Sequence, residues 1–515
     1  MTVETLIALT MIVPVVGAVL IALTGRQGNI REFVTLTTSV ILFAVVLQLL
    51  GVVESGARPV WVLGEMLPGL DIKFAPEPLG MIFAVIASAL WIVTSFYAIG
   101  YMRAHKEIHQ TRFYVSFAIA IASSMGIALS GNMLTLFVFY ELLTISTYPL
   151  VAHAGTRDAK RGARIYLGIL LGTSIGFQLV AIVWTWLLAG TLDFTNGGIL
   201  EGTASGVVIS VLLVLYVYGI GKAALMPFHR WLPAAMVAPT PVSALLHAVA
   251  VVKAGVFSVL KVSVYIFGLD LLGQTATTSW LAAMAGITIL LASIIAMRQD
   301  NLKARLAYST ISQLSYIVLA AMLASGTAFI GGGIHIVMHA FAKITLFFCA
   351  GAIIVASHKT KVSELNGLGR KMPITFFAFF IASLSLIGLP PFGGMWSKWL
   401  LGLGAAETDQ SIYIAVLMIS SLLNVAYLMP VVVRGFFYKP SNAESDDNHQ
   451  QGDLFQSPAP VDASNPTAKS NWIFLKFEEA PMLCVLSLSF TALATIALFF
   501  YADPIYTFLL PVIQR

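Results

Sequence analysis

Long apolar stretches separated by short polar segments repeat along the whole chain. A helix needs about 20 mostly apolar residues to cross the hydrocarbon core of a bilayer, and windows of that length recur from one end of the sequence to the other. The pattern predicts an all-α integral membrane protein with about fourteen transmembrane helices. The predicted spans are 5–24, 33–53, 78–100, 113–130, 132–152, 164–189, 206–226, 240–267, 279–297, 306–324, 328–356, 373–402, 411–433 and 480–502.

Two of these spans are interrupted by proline next to a lysine. In the seventh, Pro227 follows Lys222, and in the twelfth, Pro390 and Pro391 precede Lys398. Proline breaks a helix, and the freed backbone groups are tolerated in a membrane only where protein or water satisfies them. The two spans are five apart, so they run in opposite directions, as an inverted repeat of five helices requires.

This repeat divides the sequence into predicted units. Spans 1–3 occupy 1–112, the first repeat (spans 4–8) 113–267, and the second repeat (spans 9–13) 279–433. Residues 439–471 are polar and rich in Pro, Ser, Asn and Asp, which predicts a disordered cytoplasmic loop. The last span and the C-terminus follow at 480–515.

Composition supports a membrane protein and limits the chemistry. Of 515 residues, 58% are hydrophobic and 10% charged, whereas soluble domains contain about 25% charged residues. A soluble enzyme is excluded, and no soluble catalytic domain is expected. Two cysteines, Cys349 and Cys484, are too few for a four-cysteine iron–sulfur cluster or a disulfide framework. No cofactor is predicted.

The basic residues alternate between loops. Of 29 lysines and arginines, 21 lie in every second loop, five lie inside spans, and three lie on the other side: Arg58, Lys73 and Arg515. Cytoplasmic loops of membrane proteins carry the excess of positive charge. The alternation predicts an even number of spans, with both termini outside a bacterial inner membrane.

Ionisable side chains inside spans are the informative residues, because each costs about 2.5–3.5 kcal/mol at the membrane centre on insertion scales. Glu141 is the one acid predicted deep in a span. His335, His339 and Lys343 follow each other at four-residue intervals, which places them on one helix face. The full set is Glu141, Lys222, His247, Lys253, Lys261, His335, His339, Lys343 and Lys398.

Several of these residues have other interpretations. Lys261 lies near the end of its span and could extend to the outer interface, and His247 could be a hydrogen-bonded histidine near a helix start. The pair His335 and His339 could bind a metal, but the glutamate of an HExxH motif and a third ligand are both absent. Haem would need histidines on facing helices, which the sequence does not show. A proton relay suits these residues better than a metal site, since histidine titrates near neutral pH.

Three segments resemble a known family. They are FVFYELLTISTYPL around Glu141, GKAALMPFHRWLPAAMVAPTPVSALLHAVAVVKAGVF from Lys222 through Lys253, and GLPPFGGMWSKW around Lys398. They are similar to the antiporter-like subunits of respiratory complex I, membrane-bound hydrogenases and Mrp cation/proton antiporters, and the resemblance covers nearly the whole chain.

The resemblance implies a proton path. Glu141 would be the charge partner of Lys222, Lys253 the central relay and Lys398 the terminal lysine of the second half. His247 and Lys261 are possible auxiliary residues. The link between the halves would be lined by His335, His339 and Lys343.

Within the family, the chain is most similar to the D-type subunits of Mrp antiporters. A lysine stands at 398, where one complex I subunit carries glutamate, and neither a lateral helix nor a C-terminal extension is expected. The resemblance implies a transporter subunit of a multisubunit Na⁺/H⁺ antiporter, with other membrane subunits as partners. Two alternatives stay open: the same channel in a redox-driven complex, and a structural scaffold with vestigial lysines.

Overall fold

The computed structural model describes residues 2–440 and 478–514. Within them the chain is mostly helical, with one antiparallel two-stranded sheet. The segment 439–471, predicted as a disordered loop, lies outside the described residues except for its first two positions.

The helices and strands are given in chain order. The first half contains α1 (Val3–Leu23), α2 (Gly28–Glu54), β1 (Trp61–Leu67), β2 (Leu70–Phe74), α3 (Pro78–Ala104), α4 (Gln110–Ala128), α5 (Met133–Val151), α6 (Arg157–Ala189), α7 (Gly206–Gly219) and α8 (Thr240–Phe267). The second half contains α9 (Ala276–Arg298), α10 (Leu302–Met322), α11 (Gly326–Ser357), α12 (Pro373–Ile387), α13 (Gly394–Glu407), α14 (Ile412–Phe437), α15 (Met482–Phe500) and α16 (Ala502–Ile513). Shorter helical segments are Gly221–Ala223, Trp231–Ala234, Ala235–Val237, Leu269–Gln274, Val362–Glu364 and Leu368–Lys371.

Eleven helices of the described chain are long and apolar enough to cross a membrane. They correspond to eleven of the fourteen predicted spans. Of the other three, α10 has 21 residues but is rich in serine and threonine, and the seventh and twelfth are interrupted. Because only eleven helices of the described chain meet both the length and the apolarity of a span, the total of fourteen transmembrane helices stays a prediction. The helix α16, packed against α3 and α11, was not predicted.

Both predicted helix interruptions are present. The helix α7 ends at Gly219, and Lys222 lies in the single turn that follows, before Pro227. The helix α12 ends at Ile387, and α13 begins at Gly394, after the two prolines. The first lysine is therefore inside its break, whereas the second lies one turn into the helix beyond it.

The loops between helices gather into two groups at opposite ends of the helices. The backbone N–H of Gly131, before α5, donates to the carbonyl of Lys73 in β2 at 2.8 Å. The N–H of Phe194, after α6, donates to the carbonyl of Gly131 at 3.1 Å. We call this end, with the β1–β2 hairpin, the hairpin face. It holds the loops that are poor in lysine and arginine.

The basic loops meet at the other end, which we call the basic face. The N–H of Leu302 donates to the carbonyl of Thr360 at 2.9 Å, and the guanidinium of Arg31 donates to the side chain of Gln110 at 2.6 Å. Every second loop along the chain thus lies on the same face of the structure, as the alternation of basic loops predicts.

The helix α8 lies at the centre. Its residues are buried along its length, and it packs against α3, α10 and α11. A fully enclosed helix has no lipid-facing side, so its polar side chains must find partners in protein or water. Lys253 and Lys261, both on α8, are therefore interior residues.

Candidate proton path

Lys222 is held by the neighbouring helix α5. Its buried Nζ donates to the carbonyl of Tyr140 at 2.7 Å and to Oγ1 of Thr144 at 2.6 Å. It also lies 3.1 Å from the centre of the Tyr140 ring, which favours a cation. A carbonyl, a hydroxyl and an aromatic face thus surround the amine.

Glu141 forms no direct ion pair with Lys222, although the two groups interact electrostatically, so the expected charge pair stays a prediction. Both of its carboxylate oxygens are buried without a hydrogen-bond partner, and it forms no ion pair among the described residues. Tyr140 and Thr144 are four residues apart and share one helix face, while Glu141 is turned by about 100° from Tyr140. The geometry of α5 therefore presents the carbonyl and hydroxyl directly to Lys222, while the carboxylate interacts with the amine without a direct hydrogen bond.

The break that holds Lys222 packs directly on the central helix. At Gly255 of α8, an added Cβ would clash with the backbone carbonyl carbon of Lys222. Only glycine permits this approach. Since Lys253 is two residues before Gly255, the contact places Lys222 beside the part of α8 that carries the next lysine.

Lys253 and the histidines of α11 come together at the centre of the protein. The Nζ of Lys253 contacts Nδ1 of His339, and the rings of His339 and His335 are stacked with centres 5.7 Å apart. Nδ1 of His335 in turn contacts Oγ of Ser397 at 2.8 Å. This row runs from the helix of the first predicted repeat to the residue beside Lys398.

Lys343 begins a second row of polar contacts. It donates to Oγ of Ser309 at 2.7 Å, and that hydroxyl contacts the hydroxyl of Tyr427 at 2.8 Å. Tyr427 donates to the side-chain oxygen of Asn424, whose amide donates to the carbonyl of Leu386 at 3.1 Å. The row connects α11 to the end of α12.

Lys398 closes this second row. Its Nζ donates to the carbonyls of Leu386 at 2.8 Å and Ile387 at 2.9 Å, and to Oγ of Ser421 at 2.9 Å. The last carbonyls of a helix lack partners within it and carry partial negative charge. The break before α13 thus creates the site that binds the lysine.

Three residues of this row were missed by the sequence analysis: Ser309, Asn424 and Tyr427. Each is fully buried in a helix. Asn424 could have been found, because an amide in the middle of the apolar span 411–433 is costly without a partner. The serine and tyrosine give weaker signals, since both residue types occur often in membrane helices.

The two auxiliary residues differ. His247 is buried, its ring is tilted against that of Phe347 with centres 4.6 Å apart, and neither of its nitrogens has a hydrogen-bond partner. Lys261 does not extend to the lipid interface, because its side chain is completely buried and ion-paired to Glu77. The helix α8 has no lipid-exposed side at this point, so the side chain does not reach the lipid.

Further buried polar atoms lie without partners near the two rows. They include Nε2 of His335, Nε2 of His339 and the hydroxyl of Tyr316. Buried polar groups of native proteins are normally bonded to protein or to ordered water. Within residues 2–440 and 478–514, no group of three or more His, Cys, Asp or Glu side chains is placed to hold a metal ion.

A family model described as the transmembrane part of NADH:quinone oxidoreductase and Mrp antiporters matches residues 130–424. The chain belongs to this family. It is therefore a multi-pass, proton-translocating membrane subunit of the transporter type. The match includes Glu141, both buried histidines of α11 and every lysine of the path, ends before Tyr427 of the second row, and leaves out the first four helices.

Individual relatives belong to both kinds of complex. The chain is 32% identical over 387 residues to NADH-quinone oxidoreductase subunit N of Desulforudis audaxviator, covering 74% of each chain. It is 32% identical to the A/B subunit of a probable K(+)/H(+) antiporter of Rhizobium meliloti, covering 85% of this chain and 44% of that one. A protein in the structure of the Mrp complex from Dietzia sp. DQ12-45-1b matches with a TM-score of 0.83 at 19% identity, covering 100% of this chain and 97% of that one. At that identity the structural match shows the fold alone.

Proposed function

We propose that this chain is the proton-translocating subunit of a multisubunit monovalent cation (Na⁺)/proton antiporter. Protons move along Glu141, Lys222, Lys253, the α11 residues His335, His339 and Lys343, and finally Lys398. The contact between Lys253 and His339 carries the proposal, because it joins the polar residues of the two halves at the centre of the protein.

Each group in the path can both hold and release a proton. Burial disfavours the charged form of lysine, and a neutral imidazole has one donor and one acceptor nitrogen. Lys222 can donate to Tyr140 and Thr144 in the observed position. A movement toward the unpartnered carboxylate of Glu141 would favour its charged form. Alternation between these partners would let Lys222 take up a proton and pass it toward Lys253 through ordered water.

The exchanged cation needs a different kind of site. Sodium is a hard cation that prefers oxygen ligands, and the path is rich in nitrogen. We propose that the cation moves along other oxygens, in this chain or in a neighbouring subunit. The protein of similar fold from Dietzia belongs to an Mrp complex, so other membrane subunits are the proposed partners, in a bacterial inner membrane with both termini outside.

A second candidate function has support from the relatives. The similarity to subunit N of an NADH-quinone oxidoreductase favours the same path driven by a redox reaction. Purifying the native assembly and recording its absorbance separates the two functions. Flavin or iron–sulfur bands would support the redox-driven complex, and their absence together with Na⁺-dependent proton movement would support the antiporter.

The test of proton translocation is the replacement of Lys253 in the assembled complex. We expect Lys253→Ala to abolish proton movement in membrane vesicles while the subunit still inserts, since a costly buried charge is removed. Lys253→Arg should also fail, because arginine does not release its proton. The control is Lys359→Ala, on a loop of the basic face, which should leave transport unchanged.

Two results would contradict this proposal. An active Lys253→Arg variant would mean that the residue acts as a fixed charge. An active Lys253→Ala variant would support the structural-scaffold function, in which the buried lysines no longer take part in transport.

A further inference from the structure

A cleft of about 540 Å³ opens on the hairpin face, away from both rows of the proton path. It is bounded by the turn before α3, the turn before α5, the loop after α6, the end of α8 and α16. Two of the three basic residues that the sequence places on the sparsely charged side, Arg58 and Lys73, line it, together with Lys261. The cleft therefore gathers charges from an end of the protein that otherwise has few.

Lys261 is at the inner wall of this cleft. Its side chain is completely buried, and Nζ donates to the carbonyl of Ser130 at 2.7 Å and lies 3.4 Å from Oε1 of Glu77. The ring of Phe194 covers the amine at 4.6 Å. The lysine is thus closed off from lipid and faces the cleft through Glu77.

Glu77 is the more accessible member of the pair, with 12% of its side chain exposed. Its two oxygens also accept the N–H groups of Leu79 and Gly80, both at 2.8 Å, which caps the start of α3. The hydroxyl of Tyr265 donates to the same carboxylate at 3.0 Å. In the sequence, this acid lies just before the predicted span 78–100.

Capping the start of α3 requires neither a charged side chain nor an ion pair with Lys261. Serine, threonine or asparagine caps a helix with a neutral side chain, and a buried ion pair is often no more stabilising than apolar residues of the same size. Lys261 also lies eight residues after Lys253 on the same buried helix, which separates the two positions by about 12 Å along the axis and about 80° around it. The pair thus lies at the cleft end of the helix that carries the central lysine.

From this geometry we infer that Lys261 and Glu77 form an outlet through which protons leave the central lysine toward the hairpin face. The inference rests on the proposed function of Lys253. It adds a route to the hairpin face that branches from the path before the histidines of α11.

The transfer balances without a further reactant. The Lys261 ammonium gives one proton to Oε1 of Glu77, which leaves a neutral amine and a neutral carboxylic acid. The acid then loses the proton to solvent in the cleft, and the amine takes up the next proton arriving from the side of Lys253. The observed ion pair is the state before the transfer.

Few other charges face this pair. Lys73 is itself paired to Asp193 at 2.6 Å, and the guanidinium of Arg58 donates to the carbonyls of Val53 and Ala57. Neither cation is in contact with Glu77. Lys73 lines the same cleft, and its pair with Asp193 does not involve α8, so this pair provides a matched control.

The experiment measures cation-driven proton movement in vesicles that hold the complete assembly. We expect Glu77→Gln, which keeps an oxygen for the cap but removes the charge, to lose at least tenfold in rate. We expect Lys261→Arg, which keeps an ion pair but cannot release a proton, to lose as much. Asp193→Asn should stay within twofold of the unmodified protein, and the amount of assembled subunit is measured for each variant.

The outcomes separate this inference from the proposed function. If Lys253→Ala is inactive while Glu77→Gln and Lys261→Arg both transport normally, the outlet is wrong and the main path stands. If Lys261→Arg is active and Glu77→Gln is not, the pair is a structural ion pair and the outlet is also wrong. Normal proton transport by Lys253→Ala would contradict both the outlet and the proposed function. Loss in both Glu77→Gln and Lys261→Arg at normal assembly, with Asp193→Asn active, supports the outlet.

Discussion

Lys222 and Lys398 both lie at a broken helix, yet the protein holds them in different ways. Lys222 is bound by another helix, through the carbonyl of Tyr140 and the hydroxyl of Thr144. Lys398 is bound by its own break, through the last carbonyls of α12. The first lysine therefore depends on the position of a neighbour, and the second depends on a feature of its own chain segment.

Their surroundings differ in charge as well. In the first half, Glu141 provides a buried carboxylate without a hydrogen-bond partner on the helix that holds Lys222. Around Lys398 the partners are two carbonyls and Ser421, and the cleft beside it, about 730 Å³, is lined mainly by apolar residues such as Trp399. In the proposed path, Lys222 alternates between two partners, whereas Lys398 is held in one place.

The largest effect should come from removing the first lysine. We expect Lys222→Met to lower proton transport by about 100-fold or more, which is the lower end of what a positioned proton donor contributes. Methionine is unbranched and of similar length, so packing is largely kept. Transport in vesicles of the assembled complex measures the effect. If Lys222→Met transports protons normally and only Lys398→Met fails, transport depends more on the second half than on the first. That result would contradict the proposed difference between the two lysines.

The next effect concerns the charge of Glu141. We expect Glu141→Gln to lose nearly all transport, because the amide cannot attract an ammonium, and Glu141→Asp to keep part of it. At a separation near 4 Å and an effective dielectric of 20, the lost attraction would be about 4 kcal/mol. Transport of both variants is measured over a range of external pH, and the residual activity of the glutamine variant should rise as the pH falls. A glutamine variant that outperforms the aspartate variant at every pH would contradict a role for charge.

A smaller effect is expected at the observed position of Lys222. Thr144→Val keeps the shape of the side chain and removes one of the two hydrogen-bond acceptors of the amine. A hydrogen bond to a charged group is worth about 1.5–3 kcal/mol, so the amine should move toward Glu141 and transport should slow by about tenfold. The double variant Thr144→Val with Glu141→Gln tests the coupling. Strictly additive effects would show that the two groups do not compete for the lysine.

The smallest effect should follow from the matching change in the second half. Ser421→Ala removes one acceptor of Lys398 but leaves the two helix carbonyls. We expect transport to stay within about threefold of the unmodified protein, because the helix end alone still carries partial negative charge. An effect as large as that of Thr144→Val would show that the two lysines are held alike.

The sequence by itself determined which residues are costly in a membrane and where the helices break. Apolar runs of about 20 residues predicted the helices, since hydrophobic length is set by the bilayer. Pro227 and Pro390 marked both interruptions, because proline prevents a helix locally. The alternation of basic loops predicted the hairpin face and the basic face, because positive charge near a span sets the direction in which that span crosses the membrane.

Only the tertiary structure decided which of these residues touch. The contact of Lys253 with His339 joins helices far apart in the sequence, and the partner of Lys261 proved to be Glu77 rather than the membrane interface. The direct bonds of Lys222 to Tyr140 and Thr144 depend on which face of α5 meets the broken helix. Periodicity fixes the residues that share a helix face, but it does not fix the rotation and packing of one helix against another. Pairing in the interior is therefore a property of the assembled helices.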